Sequence, residues 1–213
     1  MARLAPETRK KRLKIGLLGG SFNPAHDGHL HISLQAIRLL GLDEVWWLVS
    51  PLNPLKQAKD MVDYETRLKT AGAVAENHPI NVSDFEKTSG TRYTADMLKE
   101  LTKRYPAVRF VWLMGADNLR EFHLWKNWRE IIKILPIAVF DRKNYAPKAL
   151  HKRFARVYAT LMIDPRKSRF LAYRRSHAWT FLKIKKRNIS ATEIRKNQEL
   201  LWQHLKNPTR KSQ

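Results

Sequence analysis

Five short apolar runs, each of strand length, decide what this chain can fold into. They are Lys14–Leu18, Val45–Val49, Ile80–Val82, Val108–Met114 and Ile137–Phe140. Largely apolar character over so few residues suits strands buried on both faces. The segments between them have helical spacing. Leu30, Leu34, Ile37 and Leu40 recur at three- and four-residue steps, and Gly41 then stops the periodicity. Tyr64–Asn77 and Tyr93–Arg104 read as further helices, the second with Pro106 just beyond its end, and Asn118–Ile134 reads as helical in pieces. Strands that alternate with helices predict a parallel sheet covered on both faces, an α/β doubly wound fold. In such sheets ligands sit beyond the carboxyl ends of the strands. The turns after Leu18, Val49 and Met114 should therefore meet at one crevice.

Beyond Phe140 the texture changes. The segment 142–178 is basic and weakly periodic, with a helix expected over Pro147–Tyr158. Trp179–Ile184 suits one more strand. Ser190 with Glu193 three residues on forms a capping-box pattern for a last helix. The expected organisation is a basic tail over 1–13, an α/β domain over 14–186 and a small helical C-terminal part over 187–213.

The net charge is +22 over 213 residues, and it is unevenly placed. Residues 1–141 hold 21 Lys/Arg against 16 Asp/Glu, whereas residues 142–213 hold 20 against 3. Such a field favours anionic partners, although a solvated basic face accounts for it equally. The chain has no cysteine, so disulfides, cysteine nucleophiles and thiolate metal sites are excluded. No apolar run approaches the ~20 residues that span a bilayer. Met1–Lys14 lacks the apolar stretch of a signal peptide. The expectation is a cytoplasmic protein with no membrane partner, and no oligomeric state is assigned.

The chemistry is concentrated after the first run, in Gly19-Gly20-Ser21-Phe22-Asn23-Pro24-Ala25-His26-Asp27-Gly28-His29. Two glycines let the backbone turn sharply and approach a ligand. A helix that starts near Gly28 places both imidazoles at its N-terminus, where backbone N–H groups and the helix dipole already favour phosphate. The spacing of a P-loop and that of a dinucleotide fingerprint are both absent. A zinc site of the H-E-x-x-H kind needs i,i+4 spacing and a glutamate, and neither is present.

H-x-G-H after the first strand, together with Ile189-Ser190-Ala191-Thr192-Glu193-Ile194-Arg195, resembles the H-x-G-H nucleotidyltransferase superfamily. Gly90–Asp96 and Trp125-Lys126-Asn127-Trp128 resemble its nicotinate-nucleotide adenylyltransferase branch, as do Pro51–Lys56 and Gly115–Trp128 in part. The likeness covers about residues 14–200. It implies a Rossmann-like fold and transfer of AMP from ATP to nicotinate mononucleotide. It also implies that His26, His29 and Arg195 hold the ATP phosphates. Gly19, Gly20, Ser21, Phe22, Lys56, Ser190 and Asp117 would line the nucleotide. Trp125 would stack on the nicotinate ring, and backbone N–H groups at Tyr93 and Thr94 would meet its carboxylate. Mg2+ would be carried with ATP, with no dedicated protein cage.

Other readings stay open at this level. Lys56 equally suits a solvated lysine. Asp117 suits a helix N-cap, Thr91 or Thr94 suits another, and Trp128 suits core. Asn23 stands where many members have aspartate, and Ala191 where serine is common. Nicotinamide mononucleotide or phosphopantetheine is the alternative acceptor. Nucleic acid at the basic C-terminal third is a competing ligand, though not expected as the primary one.

Overall fold

A computed structural model describes residues 12–51, 61–141, 150–174 and 176–185. The strands are β1 (Lys14–Gly20), β2 (Glu44–Val49), β3 (Ile80–Ser83), β4 (Arg109–Gly115), β5 (Ile137–Phe140) and β6 (Trp179–Leu182). The helices are α1 (Asp27–Leu40), α2 (Tyr64–Ala75), α3 (Phe85–Thr88), α4 (Thr94–Arg104), α5 (Ala116–Glu121), α6 (Trp128–Ile134) and α7 (Arg153–Val157). Three 3-10 segments complete the list: Phe122–Leu124, Ala159–Leu161 and Pro165–Tyr173.

The six strands form one sheet in the order β3-β2-β1-β4-β5-β6, and every pair is parallel. This is the doubly wound arrangement expected from the alternation of elements. Side chains alternate across it, and both faces are apolar. On β4, Phe110, Trp112 and Met114 enter one core with Leu98, Leu101, Ile131 and Phe154. Val111 and Leu113 enter the other with Ile32, Ala36, Leu40, Ala71 and Leu171. Right-handed crossovers explain the division. The chain moves one way from β1 to β3 with α1 and α2 on one face. It then returns to β4 and moves the other way with α4, α5 and α6 on the opposite face.

Several local expectations need correction. Pro165–Tyr173 is a 3-10 helix whose Ser168, Leu171 and Ala172 are buried, and the sequence reading had no element there. Its burial is tertiary, with Ser168 Oγ donating to the Leu39 carbonyl of α1 at 3.0 Å. The short α3 was also unforeseen, because four residues carry no periodicity. Of the helix expected over 147–158, the described part is α7 alone. The basic tail to residue 11, Lys56 and the helical part over 187–213 lie outside the described residues. No helix among the described residues is long and apolar enough to cross a membrane.

α1 shows its boundaries most clearly. Gly41 closes it in the left-handed region at φ 62°, with its N–H bonded to the Ile37 carbonyl. A Cβ is strained there. Gly41→Ala should cost at least ~1 kcal/mol, read as a lower midpoint in urea unfolding with an unchanged slope.

Candidate active site

The first crossover leaves β1 for β2, while the neighbour on the other side is β4. The sheet order reverses there, and a crevice opens beyond the carboxyl ends. The segment Gly19–His29 lies at that point. Gly19 is required by close packing: a Cβ on it would stand 2.5 Å from Cη2 of Trp112 on β4. Phe22 holds φ 45°, a strained value for a bulky residue. Packing holds it there. Its ring is 1% exposed and stacks on Trp47 with centroids 5.0 Å apart, and the His29 ring lies at 4.8 Å.

His26 is the N-cap of α1, and His29 occupies the third helical position. The Gly28 N–H donates to His26 Nδ1 at 2.9 Å, and the His26 N–H donates to His29 Nδ1 at 3.3 Å. The pair forms a capping box built from two imidazoles, whose ring centroids are 4.0 Å apart. A nitrogen that accepts from a backbone N–H carries no proton of its own. Nδ1 is thereby the acceptor in both rings, and Nε2 is the donor. A buried relay fixes the helix beneath them: Trp47 Nε1 donates to Ser33 Oγ at 2.8 Å, and Ser33 Oγ donates to the His29 carbonyl at 2.9 Å.

The other expected residues distribute around this loop. Ser21 is buried, and Asp117 sits in the first turn of α5 directly after β4. Asp117 is not the N-cap; Gly115 holds that position. Trp125 packs edge-on against Trp112 at 6.4 Å and Phe122 at 5.2 Å. It therefore stands one tryptophan away from Gly19. Trp128 is core, 7% exposed. Tyr93 is the N-cap of α4 and Thr94 its first residue, so neither Thr91 nor Thr94 caps the helix. Thr91 Oγ1 instead bonds Ser89 Oγ at 2.9 Å. Both Tyr93 and Thr94 are on the Trp112 side of the sheet, because α4 buries Leu98 and Leu101 in that core. Lys56, Ser190 and Arg195 lie outside the described residues. At Lys185, the last described residue, the carbonyl accepts from His31 Nε2 of α1 at 2.7 Å.

Sequence reasoning missed three residues of this region: His31, Arg67 and Glu86. Arg67 of α2 is 2% exposed and donates to carbonyls of the loops after both β1 and β2. Its signal was the spacing Arg67, Ala71, Ala75, which places an arginine on the buried stripe of a helix. Glu86 of α3 accepts from Ser50 Oγ at 3.0 Å. Ser50 N–H in turn donates to the Gly20 carbonyl at 2.9 Å. Burial pushes the Glu86 carboxyl up to about 7, opposed by the Ser50 hydrogen bond. Among the described residues no three histidine or carboxylate side chains gather as a metal cage.

Comparison with known proteins fits this geometry. The cytidylyltransferase-like family matches residues 17–197. The chain belongs to that family. Within it, the chain is 48% identical over 183 residues to a protein of Parvibaculum lavamentivorans, covering 86% of this chain and 91% of the relative. It is 46% identical over 184 residues to one of Ruegeria sp. strain TM1040, covering 86% and 97%. Both relatives bear the name "Probable nicotinate-nucleotide adenylyltransferase". The fold matches a solved Plasmodium falciparum nicotinic acid mononucleotide adenylyltransferase complexed with NaAD. The TM-score is 0.63 at 19% identity, over 86% of this chain and 83% of that one.

Glu86 generates a pH prediction. An acid whose folded pKa lies above its unfolded value holds a proton in the native state that the unfolded chain has released. Stability from this group is full below the unfolded value of 4.5 and declines as pH rises to about 7. Glu86→Gln should remove that decline. Unfolding free energies at pH 5 and pH 8 should differ less in the variant than in the parent, by on the order of 2 kcal/mol.

Proposed function

We propose that this chain is a nicotinate-nucleotide adenylyltransferase, which joins AMP from ATP to nicotinate mononucleotide in the synthesis of NAD. A phosphate oxygen of the mononucleotide attacks the α-phosphorus of ATP. The bond from that phosphorus to the bridging oxygen breaks, and pyrophosphate leaves with the electron pair. The products are nicotinate adenine dinucleotide and pyrophosphate. The phosphate nucleophile is already ionised at neutral pH, so the protein's work is positioning and stabilisation of spreading charge.

The observation that carries this reading is the two-histidine cap at the carboxyl end of β1, on a chain whose relatives share the adenylyltransferase name over nearly their full length. His26 and His29 offer Nε2 donors at a helix N-terminus, where an anion is favoured twice over. Gly19, Gly20, Ser21 and Phe22 supply the backbone against which the triphosphate lies. Arg195, Ser190 and Lys56 close the phosphate site from the late segment and the loop after β2. Asp117 contacts the nucleotide from the first turn of α5. Trp125 stacks on the pyridine ring, and the N-terminal N–H groups of α4 at Tyr93 and Thr94 receive its carboxylate. Mg2+ carried with ATP would screen the charge of the triphosphate held by these residues. The reading carries with it a cytoplasmic location, where ATP is supplied.

Purified protein with ATP should release pyrophosphate fastest with nicotinate mononucleotide, compared with nicotinamide mononucleotide and phosphopantetheine. No release with the nicotinate substrate sinks the assignment. His29→Ala should lower kcat about 100-fold or more, the size expected when a preorganised donor is lost. An unchanged kcat in a folded variant refutes the role. Trp125→Ala should raise KM for the mononucleotide and leave that for ATP in place. An equal rise for both substrates would make Trp125 a packing residue.

A further inference from the structure

Arg67 is a buried cation, and no carboxylate pairs with it among the described residues. Its N–H groups go to main-chain oxygens. Nη1 donates to the carbonyls of Ser21 at 2.6 Å and Ser50 at 2.8 Å, Nη2 to Pro51 at 3.0 Å, and Nε to Val62 at 3.0 Å. The Tyr64 ring lies beneath it, 5.4 Å from centroid to Cζ. Two further bonds close the network: Ser50 N–H to the Gly20 carbonyl, and Val62 N–H to Asn23 Oδ1 at 3.3 Å. Three separate stretches of chain therefore converge on one guanidinium.

A site for polyphosphate has to present donors and keep carbonyl oxygens away, because carbonyl and phosphate oxygens repel. A trans peptide points its N–H opposite its C=O. The Ser21 carbonyl turned onto Arg67 aims the next amide, that of Phe22, the other way. Buried charges are ordinarily paired, since desolvation is costly otherwise. Here the carbonyl dipoles satisfy the hydrogen bonds, while the exposed Asp63 carboxylate, beyond ion-pair distance, cancels the net charge only in part. Burial draws the guanidinium's pKa down, yet arginine stays charged.

We propose that Arg67 is the positioning residue of the phosphate loop, fixing the loops after β1 and β2 by their carbonyls and leaving its own charge to be balanced by bound polyphosphate. The role rests on reading Gly19–His29 as the triphosphate site, but not on which mononucleotide is the acceptor. Lysine cannot replace it. A point charge with three donors on a flexible stem does not reproduce a planar fork that bridges three segments.

The test uses the full chain, with inorganic pyrophosphate as the probe, titrated calorimetrically without turnover. Arg67→Met should weaken pyrophosphate binding and raise KM for ATP by at least about tenfold. Arg67→Lys should fall between Met and the parent. KM for the mononucleotide should stay within about twofold in both, a split that general loosening of the fold would not give. A folded Arg67→Met variant that binds pyrophosphate as the parent does overturns the proposal. If neither variant folds, hydrogen exchange on the parent decides. The Phe22 amide should exchange freely before pyrophosphate is added and become protected once it is bound, and exchange at Phe22 that pyrophosphate leaves unchanged overturns the role. A parent that binds pyrophosphate but does not turn over nicotinate mononucleotide overturns the substrate assignment and leaves these measurements decisive for Arg67. A parent that binds no pyrophosphate overturns both.

Discussion

The site depends on where β1 ends. Its neighbours β2 and β4 are both parallel to it, and the chain leaves β1 toward one of them only. Successive crossovers then cover opposite faces, so no helix closes the space beyond β1. The last residues of the strand and the first after it must fill the mouth of that crevice without blocking it. Gly19 does so by yielding its Cβ volume to the ring of Trp112. Phe22 does so by folding back under the loop against Trp47. α1 then starts with its N-terminus at the opening. A helix dipole, two imidazoles and a glycine turn reach one place because a single topological reversal puts them there.

The elements most visible in the sequence were those whose burial is two-sided or strictly periodic. Every strand core was legible, because β4 and β5 are apolar at successive positions and need no partner to be recognised. α1 was legible at both ends, since Gly41 and the H-x-G-H turn are local signals. What stayed hidden was decided by tertiary contact. Pro165–Tyr173 carries Arg166, Lys167, Ser168 and Arg169 in succession and orders by leaning on α1, β6 and β4. Cap assignments failed for the same reason. Tyr93 and Gly115 precede their helices without a capping side chain, while the better formers Thr94 and Asp117 lie one and two residues inside.

The site divides along similar lines. Glycines and histidines at a strand end announce a ligand by their chemistry alone. Arg67 and Glu86 look like solvated charges in sequence, and only the packed loops show that both are turned inward. The large basic excess is a different matter. In the described part of the C-terminal third, Arg153, Arg156, Arg166, Lys167 and Arg169 are exposed. These belong to a solvated face whose reach is long-range attraction of anions, falling with salt. In the proposed site the local affinity for phosphate is built otherwise, from the uncharged donors of the histidine cap together with the positioned cations Arg195, Lys56 and the buried Arg67.

That division bears on mechanism through the histidine cap. An imidazole can act as a general base only through a nitrogen that lacks a proton. In both rings that nitrogen is Nδ1, and both Nδ1 atoms already accept backbone N–H bonds of α1. To take a proton there, either ring would have to surrender the cap and leave orphan donors at the helix start. The remaining nitrogens, both Nε2, are donors. The cap therefore makes the pair suited to holding phosphate oxygens and unsuited to removing protons. A reaction whose nucleophile arrives as a ready phosphate anion asks for that kind of site. The same two hydrogen bonds that begin α1 restrict what chemistry its first turn can perform.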